Sequence, residues 1–120
     1  YEKLLRAYDV VRSANQAGRS KAAVGVPAGD VDSATRKVIE DHGFGEFFIH
    51  RTGHGLGLEI HEEPYIKPEN DFVLKRGMTF TIEPGIYIPG LGGIRIEDDV
   101  YLKTSGLVSL TSLPRELIIV

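Results

Sequence analysis

Two histidines, two glutamates and an arginine stand out as groups that can hold cations or move protons. His54 and His61 lie in GHGLGLEIHEEP (residues 53–64), Glu83 in MTFTIEPGIYIPG (78–90), and Arg95 with Glu97 in GGIRIEDDV (92–100). Residue 90 is the midpoint between Glu83 and Glu97 and falls within PGLGG, a sequence built to turn. A three-residue hairpin loop there sets the two glutamates directly across from each other, with Cβ atoms about 4.5–5.5 Å apart. Facing carboxylates repel unless something cationic lies between them. Two divalent ions about 3.5–4 Å apart would meet that need. Taken alone, the pair could equally be solvated on an exposed sheet face. His54, flanked by Gly53 and Gly55, sits where backbone or substrate can approach closely. His61 is seven residues further on, a spacing that puts it on the opposite face of a regular strand. Only a bend or bulge at the glycines lets both rings point into one site.

The elements that must position these groups follow from periodicity. Leu4, Tyr8, Val11 and Ala14 recur at helical spacing over residues 2–17, with Gly18 as the expected stop. A second helix follows, with Asp30 or Asp32 as its cap, a stripe of Val31, Ala34, Val38 and Ile39, and Gly43 as its end. His42 is placed to favour that helix's dipole. Beyond Gly43 the texture becomes strands and turns, with Pro64 and Pro68 punctuating a loop. In the strand pair around PGLGG, Thr79, Thr81 and Glu83 share one face, opposite Phe80 and Ile82. Arg95 and Glu97 likewise share a face opposite Ile94 and Ile96, and Asp98 and Asp99 are expected at a strand edge. The class is α+β: two helices packed on an antiparallel curved sheet.

Composition narrows the function. The 120 residues suffice for about one domain, and 42% hydrophobic with 26% charged content is ordinary for a globular protein. A net charge of −3 gives no electrostatic reason to expect nucleic acid or an anionic membrane as partner. No apolar run is long enough to span a bilayer. Without cysteine, any metal must be held by imidazole and carboxylate, a composition that fits the cytoplasm. GHGLGL is not a dinucleotide fingerprint, and HEEPY is not a helical HExxH zinc motif. There is no serine nucleophile elbow.

The segments HRTGHGLGLEIHEEPYI, TIEPGIYIPG and GGIRIEDDV, in this order and spacing, resemble the metallopeptidases of the prolidase, aminopeptidase P and methionine aminopeptidase superfamily. The resemblance covers nearly the whole chain. It implies half of a pita-bread fold, in which two related α+β halves surround a dinuclear centre. It implies His54, Glu83 and Glu97 as metal ligands, with Glu97 bridging and Glu83 also handling the proton of the bridging water or hydroxide. By the same resemblance, His61 bonds the scissile amide or the tetrahedral intermediate, Arg95 orients that intermediate or the substrate's carboxylate, and His50 lines the pocket. The cofactors implied are two divalent ions, Mn, Co, Zn or Fe, and the substrate is an Xaa-Pro peptide.

The GIYIPG and GGIRI segments favour the proline-specific branch over methionine aminopeptidases. The family's site has five protein ligands, two of them aspartates upstream of the first helix. Residues 1–120 are therefore expected to form the C-terminal part of the catalytic domain, with little activity alone and with apolar surface that favours a homodimer. A non-catalytic peptide- or protein-binding module and a metal-free hydrolase of the creatinase type share this fold. Both are disfavoured because His54, Glu83 and Glu97 are all retained.

Overall fold

The computed structural model describes all 120 residues. Helix α1 spans Glu2–Lys21 and α2 spans Ala28–Asp41, with one 3₁₀ turn at Gly45–Phe47. Seven strands follow: β1 Gly53–Gly55, β2 Glu62–Ile66, β3 Thr79–Ile82, β4 Gly85–Ile88, β5 Gly92–Arg95, β6 Asp98–Lys103 and β7 Gly106–Ser109. Five form an antiparallel sheet in the order β2-β1-β3-β6-β7, and β4 with β5 forms a separate ribbon. The fold is α+β, as the periodicity predicts. No helix is long and apolar enough to cross a membrane.

Both helices cover one side of this layer, over two apolar clusters. Ala7, Val11, Ala14, Ile39, Phe44 and Ile86 belong to the first, under the ribbon. Val31, Ile66, Leu74, Phe80, Val100 and Leu102 belong to the second, under the five-stranded sheet. Burying side chains of this size contributes about 1.5–3 kcal/mol each before entropy is counted.

The strand pair around PGLGG is one long hairpin that opens in the middle. Pairing runs from Thr79↔Tyr101 to Ile82↔Asp98, lapses, and resumes in the same register from Gly85↔Arg95 to Ile88↔Gly92. The loop is Pro89-Gly90-Leu91, closed by Leu91 N–H donating to Ile88 O at 3.0 Å. Glu83 and Glu97 are therefore opposed, in the gap where the two ladders part.

Several local expectations are corrected. Gly18 does not end α1; it is buried inside the helix, which runs on to Lys21. A Cβ there would lie 2.4 Å from Thr35 Oγ1 and 3.1 Å from Ile82 Cγ2, so this glycine lets α1 approach α2 and β3. Neither Asp30 nor Asp32 caps α2, whose N-cap is Pro27 without a side-chain cap bond. Pro64 lies within β2 and is buried, not in a loop. Asp98 is not at an edge: β6 is interior to the sheet and Asp98 is 2% exposed. Gly43 does terminate α2, with φ +82°, and His42 Nδ1 sits 2.7 Å from Val38 O.

Asp32 is instead a buried anchor. It pairs with Arg36 one turn on, at 3.0 Å, and accepts from both the N–H and the hydroxyl of Thr52. Arg36 in turn donates to Phe48 O and His50 O. One carboxylate–guanidinium pair on α2 thus holds the segment that leads into β1.

Two outcomes follow for stability. Gly18→Ala should lower the thermal midpoint, because overpacking of about 1–3 kcal/mol exceeds the roughly 1 kcal/mol gained from better helix propensity; a raised midpoint would refute the close-packing role. Asp32→Ala should cost about 3 kcal/mol in chemical denaturation, the low end for breaking a buried pair because Arg36 keeps some solvent. A loss within about 0.5 kcal/mol, as for an ordinary surface change, would show that the anchor contributes little.

Candidate metal centre

His54 is carried by β1, a three-residue strand squeezed between β2 and β3. Its flanking glycines are steric necessities. A Cβ on Gly53 would meet Thr81 O at 1.8 Å, and one on Gly55 would meet Glu63 O at 2.0 Å. His54 N–H donates to Thr81 Oγ1 at 3.1 Å, which ties the histidine to the strand that leads into Glu83. Glu83 N–H donates to Thr52 O at 2.7 Å, so the anchor on Asp32 extends through Thr52 to the first glutamate.

The condition placed on His61 is met. The β1–β2 register shifts between Gly53 and Gly55, and His61 lies in the connection between these strands rather than on a regular strand with His54. The two imidazoles come to a centroid separation of 4.3 Å at 69°.

One ligand atom each from His54, Glu83 and Glu97 lies within 4.8 Å of the other two. His54 is buried, Glu83 half-buried, and Glu97 exposed. His54 Nδ1 is 2.9 Å from Gly55 O, and a carbonyl can only accept, so Nδ1 carries the proton. Nε2 is left with a lone pair, 3.6 Å from Glu83 Oε2. That oxygen is buried and has no hydrogen-bond partner. Two acceptors that face each other, one of them orphaned, call for a cation.

Glu97 reports the same demand. Hydrogen bonding with the adjacent Glu83 carboxyl, burial and the Glu83 charge together push its pKa up to about 7. Burial and the charge of Glu97 also raise Asp99. The donor set, one imidazole and two carboxylates, suits hard and borderline divalent ions such as Mn, Co, Zn or Fe.

His54 and Glu83 of the cluster line an open cleft of about 660 Å³, together with His50, His61, Tyr87 and Arg95. A second hollow of about 600 Å³ shares His54, His61, Glu83 and Arg95 and adds Glu97 and Asp99. His50 Nδ1–H donates to Arg51 O at 2.7 Å, and its ring packs edge-on to Phe48 and Tyr87. Burial, with the charges of Arg95, Arg36 and Arg51, lowers its pKa and keeps it neutral. The structure thus brings together all six residues singled out in the sequence: His50, His54, His61, Glu83, Arg95 and Glu97.

Sequence reasoning missed the residues that hold them. Asp32 and Arg36 were visible as an i, i+4 ion pair next to the apolar stripe of α2. Arg51 and Lys67 at the cleft carried no local signal. Asp98, beside Glu97, is clamped by Arg115 at 2.8 and 2.9 Å and by Thr111 at 2.7 Å. Burial opposes its charge, but Arg115 and Thr111 outweigh it and hold the pKa at about 2. Its alternation with Val100 and Leu102 already gave it inward parity.

Comparison with known proteins agrees with this geometry. The Xaa-Pro dipeptidase of Pyrococcus furiosus is 48% identical over 117 residues, 98% of this chain and 34% of that protein. The Xaa-Pro dipeptidase of Lactobacillus delbrueckii subsp. lactis is 49% identical over 116 residues, 97% of this chain and 32% of the relative. The crystal structure of a dipeptidase from Pyrococcus horikoshii OT3 superposes with a TM-score of 0.98 at 55% identity, over 100% of this chain and 34% of that one. The chain spans about a third of the length of the relatives it matches. Residues 2–104 match the metallopeptidase family M24, and by that match the chain belongs to metallopeptidase family M24.

Proposed function

We propose that these residues form part of the catalytic centre of a metal-dependent peptidase that cleaves the bond preceding proline, as an Xaa-Pro dipeptidase or aminopeptidase. The observation that carries this reading is the convergence of His54, Glu83 and Glu97 beside two adjoining hollows that share His54, His61, Glu83 and Arg95, one of them also lined by His50 and the other by Glu97. His54 Nε2, Glu83 and Glu97 would hold the divalent ions. When bound, such ions bring the pKa of a water molecule near neutrality and polarise the carbonyl it attacks. Glu83 takes the proton that the attacking water gives up. His61 donates to the scissile amide or to the oxyanion that develops there, and Arg95 offers a second, permanently charged donor. His50, neutral and wedged between Phe48 and Tyr87, shapes the wall. The remaining ligands of a two-ion centre would come from outside residues 1–120.

Two further cations favour the dipeptidase form. Arg51 and Lys67 line the cleft, and neither takes part in any ion pair of the structure. Arg51 is steadied by stacking on Tyr65 at 4.7 Å. Free cations at the cleft suit a substrate that ends in a carboxylate close to the scissile bond. We also take the protein to act in the cytoplasm as a homodimer; exposed Ile49, Leu58 and Ile60 near the cleft supply apolar surface for association.

Calorimetric titration of Mn²⁺ or Co²⁺ into the chain should give binding that Glu97→Ala removes. Binding that survives the substitution would overturn the assignment of Glu97, and no binding at all would mean that the ligands outside residues 1–120 are required to hold the ions. In the longer protein that carries these residues, Glu83→Gln should lower kcat for a dipeptide ending in proline by about 10²–10⁴. Unchanged turnover would exclude Glu83 as the proton acceptor.

A further inference from the structure

Behind the two glutamates, on the helix side of the hairpin, lies a buried polar side chain that the cleft does not use. Asn15 is completely buried in α1, on a face otherwise made of Ala7, Val11, Ala14 and Gly18. Its Nδ2 donates to Ile82 O and to Ile96 O, at 3.3 Å each. These residues immediately precede Glu83 and Glu97. They also border the gap where the hairpin ladder lapses; Ile96 lies opposite Pro84, which has no N–H to offer, so the Ile96 carbonyl depends on a partner outside the sheet.

The geometry leaves little freedom. A carboxamide nitrogen has two hydrogens, and each is directed to one side of the hairpin. Asn15 Oδ1 accepts from Arg19 Nε at 2.7 Å, which fixes the orientation of the amide. The flipped amide would set its oxygen against two carbonyls and its nitrogen against a guanidinium. An apolar residue of similar size would suit the neighbouring small side chains equally well, but it would leave the Ile96 carbonyl without a partner and remove the tie between the two strands.

We propose that Asn15 is a positioning residue: by gripping the carbonyls of Ile82 and Ile96 from the helix, it sets the separation of Glu83 and Glu97 across the open hairpin. Its consequence for cation binding rests on the reading of those glutamates as ligands. Asn15 touches neither the ions nor the substrate.

The test compares the wild-type chain with Asn15→Leu and with Leu74→Ala, a buried change in the other apolar cluster and away from the cleft. Mn²⁺ affinity by calorimetry should fall about 10–100-fold in Asn15→Leu, as for loss of an outer partner of a metal site. Leu74→Ala should lose thermal stability yet keep near wild-type affinity. Equal weakening in both variants, or none in Asn15→Leu, would reduce Asn15 to a packing residue. A metal-free readout separates this idea from the metal reading. The carbonyl carbon resonances of Ile82 and Ile96 and the amide resonances of Glu83 and Glu97 should move in Asn15→Leu and stay in place in Leu74→Ala. If the wild-type chain binds no Mn²⁺, these resonances alone decide: displaced together they support the clamp, and unmoved they overturn it. Should Asn15→Leu fail to fold, Asn15→Asp takes its place, since it keeps the volume and the contact to Arg19 but cannot donate when ionised.

Discussion

Two carboxylates face each other across a hairpin, and much of this fold serves to keep them there. A regular ladder through Glu83 and Glu97 would give each strand a full set of backbone bonds and leave no hollow at the cation site. Instead pairing lapses for two residues on each strand and resumes in an unchanged register. The gap releases backbone groups, and each one traced here finds a partner elsewhere. Glu83 N–H goes to Thr52 O and the Ile96 carbonyl to Asn15, while Ile96 N–H still reaches Pro84 O across the hairpin. Opening a sheet in its interior is tolerable only under such complete accounting.

The histidine side of the centre obeys a different constraint, that of steric access. β1 brings His54 between β2 and β3, where only glycine on either side allows the backbones to meet. A strand of three residues cannot hold its own position through ladder bonds alone. The Asp32–Arg36 pair supplies the hold, through Thr52 on one side and the carbonyls of Phe48 and His50 on the other. Helix α2 is therefore a support for the loop before His54, and the tautomer of His54 is set locally by Gly55 O.

How much of this was legible depends on the range over which each signal acts. The hairpin register could be read from the midpoint of Glu83 and Glu97, because turn chemistry and period-two alternation are local rules. The alternation of Arg95 and Glu97 against Ile94 and Ile96 was legible for the same reason. Asp32 was misread as a cap because a carboxylate in the first turn of a helix usually serves that end; its partner Thr52 is twenty residues away and gives no local sign. Gly18 was misread as a terminator, since close approach of α2 and β3 cannot be inferred from α1 alone. Asn15 depends on a contact 67 residues away and Arg115 on one 17 residues back, and polar residues carry no periodic mark that survives such distances. The residues that gather at the cleft were singled out through the resemblance of three motifs, while their supports lay outside those motifs.

That division has a physical reason. Hydrophobic burial is strong but non-directional, and the two apolar clusters could tolerate shifts of a few tenths of an ångström without much loss. A pair of like-charged ligands cannot, because their repulsion and their fit to a cation both change steeply with separation. Directional bonds must therefore take over where the clusters end. Asn15 and Asp32 with Arg36 stand at that boundary, bonded to the carbonyl before Glu97 and to the backbone of His50 and Thr52, while Asp98, held by Arg115, adjoins Glu97 in the chain. The cleft itself stays open, so it gains little from burial. Its geometry is imposed from behind, by polar side chains set into helices α1 and α2 and into strand β6.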